Sequence, residues 1–324
     1  MFSAQVLAID PAAVAAEVEQ SIRDQVLARL RRRGAVVGMS GGIDSSVVAT
    51  VCTRALGPER VFGLFMPERD SSDDALRLGR MLAEHLGIEY AVENIAPALM
   101  GLGCYARQLE AIRSSVPEYA ENWRCKLTLP SLLQGERLNV TMLTVADPEG
   151  RERTTRMSAA GYLQMVAATN FKQRVRKMME YYHADRLGFA VAGTPNRLEY
   201  DQGFFVKQGD GAADFKPIAH LYKTQVYALA AHLGVPEEIR SRPPTTDTFS
   251  LAQTQEEFYF ALPYPQMDLC LWAADHGTPA EEVAEALALT PQQVERVFRD
   301  IEAKRRVSRY LHQAPLLVGD GAGG

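Results

Sequence analysis

The sequence contains no apolar run long enough to cross a bilayer. Charged residues interrupt its longest hydrophobic stretches well short of the ~20 residues that a transmembrane helix needs. The first residues also lack the basic-then-apolar order of a secretory signal. We therefore expect a cytoplasmic protein with no membrane partner.

Cysteine is scarce, and its spacing is irregular. The sequence has 4 cysteines, Cys52, Cys104, Cys125 and Cys270, and none of them forms a C-x-x-C pair. Disulfide frameworks and zinc sites both use cysteines at characteristic spacings. The sequence therefore disfavours both kinds of site, and buried thiols are the expectation.

An excess of positive charge is also missing. The chain has 35 lysines and arginines against 40 aspartates and glutamates, which gives a formal net charge of -5. Broad binding to nucleic acid or to anionic membranes relies on clustered basic residues. Residues 279–298 have the spacing of a helix-turn-helix, but Glu295, Asp300 and Glu302 accompany the basic residues of its second helix. We expect no nucleic-acid partner.

What the sequence does contain is an alternation of short apolar segments with amphipathic ones. The pattern predicts strands at 35–39, 60–66, 88–95 and 189–193, and helices at 11–33, 45–56, 73–86, 171–187 and 223–233. Strands that alternate with helices pair in parallel through right-handed crossovers. The sequence therefore predicts an α/β fold with a doubly wound parallel sheet.

Two parts of the chain depart from this alternation. The stretch "LNVTMLTVADPEGRERTTRM" predicts a hairpin that turns at residues 147–150, inside an insertion at about 101–160. Near the end of the chain, residues 278–281 and 290–293 have the spacing of capping boxes that begin helices. We predict a main domain over 1–270 that contains the insertion, and a helical extension over 271–324 that ends in a flexible tail.

The stretch "VVGMSGGIDSSVVATVC" runs from an apolar strand through two glycines and several small polar residues into an apolar helix. Glycines allow the backbone to approach an anion closely, and a helix N-terminus presents free N–H groups to it. The other common phosphate loop, G-x-x-x-x-G-K-[ST], does not occur, which disfavours a Walker-type kinase or GTPase. The bland alternative is a serine-rich N-cap on an ordinary helix. We predict a phosphate-binding loop, beside which the carboxylate of Asp44 is suited to Mg²⁺.

The segment "SGGIDSS" resembles the pyrophosphate-binding motif of the N-type ATP pyrophosphatase superfamily, which has the adenine nucleotide alpha hydrolase-like fold. Three further segments, "TNFKQRVRKMMEYY", "GFFVKQGDGAADFKPIAHLYKTQ" and "RPPTTDTFSLAQTQEEF", resemble the ammonia-dependent NAD synthetases of that superfamily, in the same order. The likeness extends over residues 20–100 and 160–260.

The resemblance implies roles for individual residues. ATP or its pyrophosphate would contact Ser40, Gly41, Gly42, Asp44, Ser45, Ser46, Thr194, Lys223 and Thr245. The acceptor would contact Asn170, Arg174, Lys207 and Asp214, the catalytic residues would be Lys207, Asp210 and Lys223, and Mg²⁺ would be held by Asp44 and Glu199.

The resemblance also implies a reaction. A carboxylate, most simply that of deamido-NAD, attacks ATP to form an acyl adenylate and pyrophosphate, and ammonia then displaces AMP to form NAD. No cysteine lies in a glutaminase-like domain, so the nitrogen source is expected to be free ammonia, or ammonia from a separate glutaminase. The acidic residues Asp210, Asp214 and Asp247 are candidates for removing a proton from ammonium. A homodimer is expected, because residues 171–187 carry more apolar side chains than one sheet contact needs.

Several positions depart from the family pattern. Pro195 follows Thr194, Arg197 stands where the family has lysine, and Ala303 precedes Lys304 and Arg305 where the family has histidine. The insertion lies next to the place where the family binds its dinucleotide. Two alternatives therefore stay open: an amide-forming ligase for another carboxylate, of secondary metabolism or another nucleotide, and a tRNA-modifying ATP pyrophosphatase.

Overall fold

Two β-sheets occur in the computed structural model, which describes residues 2–129, 141–245 and 248–318. The strands are β1 (Ala35–Gly38), β2 (Val61–Phe65), β3 (Glu89–Val92), β4 (Arg124–Thr128), β5 (Met142–Ala146), β6 (Glu152–Arg156) and β7 (Ala190–Ala192). The first sheet has the order β3-β2-β1-β7 with all neighbours parallel, and the second has the order β4-β5-β6 with all neighbours antiparallel. The predicted parallel α/β sheet is confirmed.

Helices connect and cover these strands. Their bounds are α1 (Pro11–Arg23), α2 (Ile43–Leu56), α3 (Asp73–Leu86), α4 (Ala96–Gly101), α5 (Cys104–Arg113), α6 (Ala159–Leu187), α7 (Arg197–Gln202), α8 (Lys223–His232), α9 (Glu237–Arg240), α10 (Tyr264–His276), α11 (Ala280–Leu287) and α12 (Pro291–His312). Helical turns of other pitch lie at Ala4–Leu7, Asp24–Arg29, Pro58–Arg60 and Glu256–Phe260.

The parallel sheet is covered on both faces, because alternate residues of a strand point to opposite sides. Val37 of β1 packs with α1, α2, α3 and α8 in one core cluster. Its neighbour Val36 packs with α4, α5 and α6 in another cluster on the opposite face. The sheet is therefore doubly wound, as predicted, and its carboxyl edge stays open between the two helical layers.

The longest helix begins earlier than its sequence pattern predicts. Helix α6 starts at Ala159, where the side chain of Ser158 accepts a hydrogen bond from Gly161 N at 3.0 Å. Its first turns pack on α5, and a Cβ at Gly161 would lie 2.7 Å from Ser114 Oγ. The first turns of α6 contain small and polar residues without a clear apolar period, so the sequence pattern does not predict them. Packing against α5 stabilises these turns.

The predicted hairpin is confirmed, as β5 and β6 with Ala146 opposite Glu152. At its turn, Asp147 Oδ1 accepts from Arg151 N at 2.9 Å. The sequence did not predict β4, which adds a third strand to the hairpin. The free edge of β4 bonds a later segment, since Leu251 N donates to Cys125 O and Leu129 N donates to Glu257 O, both at 3.0 Å.

The C-terminal helices pack around their own core cluster, and one of the two predicted capping boxes is correct. Thr290 and Gln293 form the box that begins α12. The box predicted at 278–281 is wrong, because Pro279 occupies the N-cap position and α11 begins after it. Helix α10 runs across the predicted domain boundary at residue 270, and the domain division stays a prediction. The predicted tail at 319–324 lies outside the described residues, and no helix of the described chain is long and apolar enough to span a membrane.

Candidate active site

A cavity of about 780 Å³ opens at the carboxyl edge of the parallel sheet. The residues that follow three of its strands line it: Ser40 after β1, Met66 after β2, and Thr194 after β7. Open α/β sheets collect their ligands at this edge, because the loops that leave neighbouring strands diverge there.

The predicted phosphate loop forms one wall of the cavity. Its hydroxyls hold the loop together: Ser45 Oγ and Ser46 Oγ donate to Gly42 O at 3.1 and 2.8 Å, and Ser40 N donates to Ser45 Oγ at 3.3 Å. Gly42 is the N-cap of α2 and has no side chain that could cap the helix, while its own N–H donates to Ser40 Oγ at 3.3 Å. The first N–H groups of α2 are therefore available to an anion in the cavity.

The two glycines of this loop serve different purposes. Gly41 has φ of +72°, and a Cβ there would lie 2.2 Å from the carbonyl oxygen of Ala75 in α3. Gly42 has an ordinary φ of -88°, and the nearest atom to its Cβ would be Ser40 Oγ at 3.3 Å. Gly42 lines the cavity, whereas Gly41 and Ser46 do not. Gly41 thus permits close packing, and Gly42 leaves room for a ligand.

Asp44, in the first turn of α2, lines the cavity and forms a buried ion pair behind it. Its Oδ2 pairs with Lys223 Nζ, whose side chain has no exposed surface. Burial lowers the pKa of Lys223, but the charges of Asp44 and Glu199 outweigh this effect and leave that pKa raised. Asp268 of α10 caps the start of α8, because its carboxylate accepts hydrogen bonds from the backbone N–H groups of Lys223 and Thr224 at 3.2 and 2.7 Å. Asp44 lines the cavity, whereas its partner Lys223 does not.

Glu199 reaches the same cavity from α7. Its Oε2 accepts from Asn196 N at 3.2 Å, and its Oε1 accepts from Gln255 Nε2 at 3.2 Å. Burial raises the pKa of Glu199, and the negative charge of Asp44 raises it further. The two carboxylates thus interact across the cavity wall.

Asn196 links these two carboxylates and was not predicted. It is fully buried, its Nδ2 donates to Asp44 Oδ1 at 3.0 Å, and its Oδ1 accepts from Glu199 N at 3.2 Å. The signal was available in the sequence, because Asn196 and Glu199 have the spacing of a capping box.

In the described residues, no group of three or more aspartate, glutamate, histidine or cysteine side chains is arranged to hold a metal ion. Proteins nevertheless often bind Mg²⁺ with only one or two carboxylates, because phosphate oxygens of the substrate and water supply the other ligands. Asp44 and Glu199 lie beside the phosphate loop, so the donor set fits Mg²⁺ that arrives with a nucleotide.

Three other predicted residues, Asn170, Thr245 and Asp210, also line the cavity. Asp210 Oδ1 accepts from Val206 N at 2.8 Å. Burial raises the pKa of the Asp210 carboxyl group.

Three predicted acceptor residues do not reach the cavity. Lys207 Nζ donates to the carbonyl oxygens of Tyr310 and Gln313 at 2.7 and 3.1 Å, at the end of α12. Arg174 is exposed and its Nε donates to Lys207 O at 3.3 Å.

Asp214, the third, borders β7: its Oδ2 accepts from Val191 N at 2.8 Å, in place of a neighbouring strand. Asp247, the remaining acidic candidate, lies outside the described residues.

A buried lysine on α6 was also missed. Lys172 has 1% exposure, and its Nζ lies 2.9 Å from Glu68 Oε1 and 2.7 Å from Asp70 Oδ2. It also donates to Thr248 O at 2.9 Å. The basic run "KQRVRK" indicates a solvated face, yet Lys172 ties the loop after β2 to the loop around Thr248, and both loops border the cavity.

The insertion and the C-terminal helix complete the walls. Leu127, Leu129 and Thr141 bring the second sheet to the cavity. Lys304 of α12 lines it as well, with Nζ 2.6 Å from Asp300 Oδ2, and burial lowers its pKa.

Fold and site together are those of an α/β enzyme with a cavity and a phosphate-type loop at the carboxyl edge of a parallel sheet. The family model described as NAD synthase matches residues 14–116 and 137–309. A relative from Mesorhizobium japonicum, described as an NH(3)-dependent NAD(+) synthetase, is 65% identical over 311 residues, which cover 96% of this chain and 98% of the relative. The chain belongs to the NAD synthase family and is a carbon–nitrogen ligase.

Solved structures agree on the fold. The NMN synthetase from Francisella tularensis matches with a TM-score of 0.66 at 21% identity, and the NH3-dependent NAD synthetase from Campylobacter jejuni matches with 0.63 at 22%. Each comparison covers 96% of this chain and 99% of the other. At such identities the likeness establishes the fold alone.

Proposed function

We propose that this chain amidates deamido-NAD with ammonia, using ATP, and releases NAD, AMP and pyrophosphate. The observation that carries the proposal is that the phosphate loop, Asp44 and Glu199 line one cavity. The name of the 65% identical relative supports the choice of reaction and of nitrogen source.

The proposed reaction has two steps. A carboxylate oxygen of deamido-NAD attacks the α-phosphorus of ATP, and the bond from that phosphorus to the oxygen shared with the β-phosphorus breaks. Pyrophosphate leaves, and an acyl adenylate remains. The nitrogen of ammonia then attacks the acyl carbon, the bond from that carbon to the AMP oxygen breaks, and the nitrogen gives up one proton. The protein positions the reactants and stabilises the developing charge.

The phosphate loop binds the part of ATP that becomes pyrophosphate. Support comes from the uncapped start of α2 at Gly42, because free N–H groups at a helix N-terminus favour an anion. Thr194 and Thr245 line the same cavity and offer hydroxyl groups to the nucleotide.

Asp44 and Glu199 are the residues that would hold Mg²⁺ when the nucleotide is bound. The bound ion would supply positive charge that stabilises the leaving pyrophosphate. Lys223 assists as a positioning residue, since its buried ammonium balances Asp44 and keeps that carboxylate at the cavity wall.

The acceptor lies on the side of the cavity formed by α6 and the insertion. Asn170 and Leu127 line that side, which offers one amide and an apolar surface to a dinucleotide. Arg174, Lys207 and Asp214 are bonded elsewhere, so the proposal gives them no contact with the acceptor. Asp210 takes the proton that ammonium must lose before its nitrogen can attack.

The proposal extends to assembly. A homodimer is supported by Met178 and Tyr182, which lie one turn apart on α6 and are 59% and 58% exposed. The other apolar residues that predicted this contact pack inward, with Val175 buried against the sheet. Cytoplasmic location and a separate glutaminase partner stay predictions.

Isotope transfer tests the proposed chemistry. Deamido-NAD labelled with ¹⁸O in its carboxylate is incubated with the protein, ATP, Mg²⁺ and ammonium, and the products are analysed by mass spectrometry. One ¹⁸O should appear in AMP and none in pyrophosphate, because the attacking oxygen leaves with AMP. Unlabelled AMP formed together with NAD would overturn the acyl-adenylate route.

A further inference from the structure

Gln255 lies between Glu199 and Tyr264 and contacts both through its side-chain amide. Its Nε2 donates to Glu199 Oε1 at 3.2 Å, and its Oε1 accepts from the hydroxyl of Tyr264. Gln255 also lines the cavity, and Tyr264 is buried with 5% exposure. The carboxylate of Glu199 is thus held on both oxygens, by Asn196 on one and by Gln255 on the other.

The direction of these hydrogen bonds is set by chemistry. As a metal ligand Glu199 is ionised and only accepts hydrogen bonds, so the nitrogen end of the Gln255 amide faces it in that state. The oxygen end then faces Tyr264, whose hydroxyl donates. The ionised carboxylate thus selects one orientation of the amide, to which the Tyr264 hydroxyl adapts because it can donate or accept.

The backbone of Gln255 is bonded to the chain at Pro244, and the insertion contacts the same segment two residues later, at Glu257. Gln255 N donates to Pro244 O at 3.2 Å, and Leu129 N at the end of β4 donates to Glu257 O at 3.0 Å. The segment around Gln255 therefore lies between β4 and the chain at Pro244. The second sheet is thus connected to Glu199, at the edge of the first sheet, through the segment that contains Gln255.

We infer that Gln255 is a positioning residue that orients Glu199 Oε1 toward Mg²⁺ bound with the nucleotide. The inference rests on the proposed role of Glu199 as a metal ligand. Gln255 itself does not bind the metal or the reacting atoms. Without its amide, Glu199 is held by Oε2 alone, and its other oxygen is free to rotate away from the cavity.

Nucleotide binding with and without metal tests this inference directly. The affinity for α,β-methylene-ATP, which cannot be cleaved between its α and β phosphates, is measured by calorimetry in EDTA and in excess Mg²⁺. The variants are Gln255→Met and Gln255→Leu, which both remove the donor, and Glu199→Gln. Gln164→Met is the control, because Gln164 is an exposed residue of α6 whose amide nitrogen donates to Arg107 O and Glu110 Oε2 on α5.

We expect Gln255→Met to reduce the gain in affinity that Mg²⁺ provides by about 10-fold or more, as loss of an outer partner of a metal ligand typically does. Its affinity in EDTA should match that of Gln164→Met. Its ligand-free form should still unfold cooperatively, at a lower midpoint, because the buried Tyr264 hydroxyl loses its partner. Gln255→Leu provides the same test if Gln255→Met does not fold.

Three results decide between the explanations. A wild-type gain from Mg²⁺ in a folded Gln255 variant overturns the inference. Equal losses in EDTA and in Mg²⁺ also overturn it, because Gln255 would then contact the nucleotide itself. If Glu199→Gln keeps the full gain, the proposed metal role of Glu199 fails, and the inference fails with it.

Discussion

The buried amine of Lys223 pairs with Oδ2 of Asp44 at the point where α8 and α2 both begin. The side chain of Lys223 has no exposed surface, and that of Asp44 has 16%. The lysine therefore stands behind the carboxylate, and Asp44 stands between it and the cavity. Lys223 does not line the cavity, and its contact with ATP stays a prediction.

Substitution of Lys223 by methionine should weaken both folding and catalysis. The change leaves Asp44 without its buried partner, and breaking a buried pair in this way costs about 3–5 kcal/mol. Urea unfolding measures that loss, and pyrophosphate release measures activity. In the double variant Asp44→Asn/Lys223→Met most of the stability should return while activity stays absent. A single variant as stable as the wild type would contradict the ion pair.

Alanine at the two loop glycines should have different effects. Gly41→Ala introduces a Cβ 2.2 Å from Ala75 O at a φ of +72°, so we expect a large fall in the thermal unfolding midpoint. Gly42→Ala meets only Ser40 Oγ at 3.3 Å, so the variant should fold. It should raise the KM for ATP, because the added methyl group enters the space beside the helix N-terminus. Equal unfolding midpoints for the two variants would count against this division of roles.

The parts of the fold that could be predicted from sequence are those with local patterns. Strand β1 is a short apolar run that leads directly into the loop "SGGIDSS". The start of α12 is marked by the capping-box spacing of Thr290 and Gln293. The start of α6 and the strand β4 escaped prediction, because they depend on contacts with α5 and with residues 250–257, which are distant in sequence.

The candidate site also has residues whose positions the sequence predicts and residues whose positions it does not. Asp44 and Glu199 come together because they follow β1 and β7, which are neighbours in the parallel sheet; the alternation predicts that sheet but not the order of its strands. The alternation also does not predict the side-chain directions of Lys207 and Asp214. Lys207 binds the end of α12, and Asp214 completes the edge of β7. Such long-range hydrogen bonds leave no periodic trace in a sequence.

The pH dependence of the activity with ammonium tests the role of Asp210. Burial raises the pKa of this carboxyl group, and only its ionised form can take a proton from ammonium. At a fixed concentration of ammonium ion, activity should therefore rise with pH as Asp210 ionises, over a range above that of an exposed aspartate. Asp210→Asn should lose most activity and this pH dependence together. Wild-type protein that uses glutamine as efficiently as ammonium would contradict the proposed nitrogen source.

The exposed side chains of Met178 and Tyr182 on α6 predict a homodimer. Light scattering should give twice the 35.8 kDa mass of one chain, because Met178 and Tyr182 leave an apolar face uncovered in the single chain. Met178→Glu/Tyr182→Glu should give the mass of one chain without loss of folding, since neither side chain belongs to the core. A wild-type mass of one chain at all concentrations would remove the dimer from the proposal.

The most direct test of the central claim is ATP–pyrophosphate exchange with a panel of carboxylates. The panel contains deamido-NAD, nicotinic acid mononucleotide and simple aromatic acids, each with Mg²⁺ and labelled pyrophosphate and without ammonia. The account predicts rapid exchange of label into ATP with deamido-NAD, and none with Glu199→Gln. Exchange that requires another acid and not deamido-NAD would contradict the account, although the fold and the phosphate loop would stand.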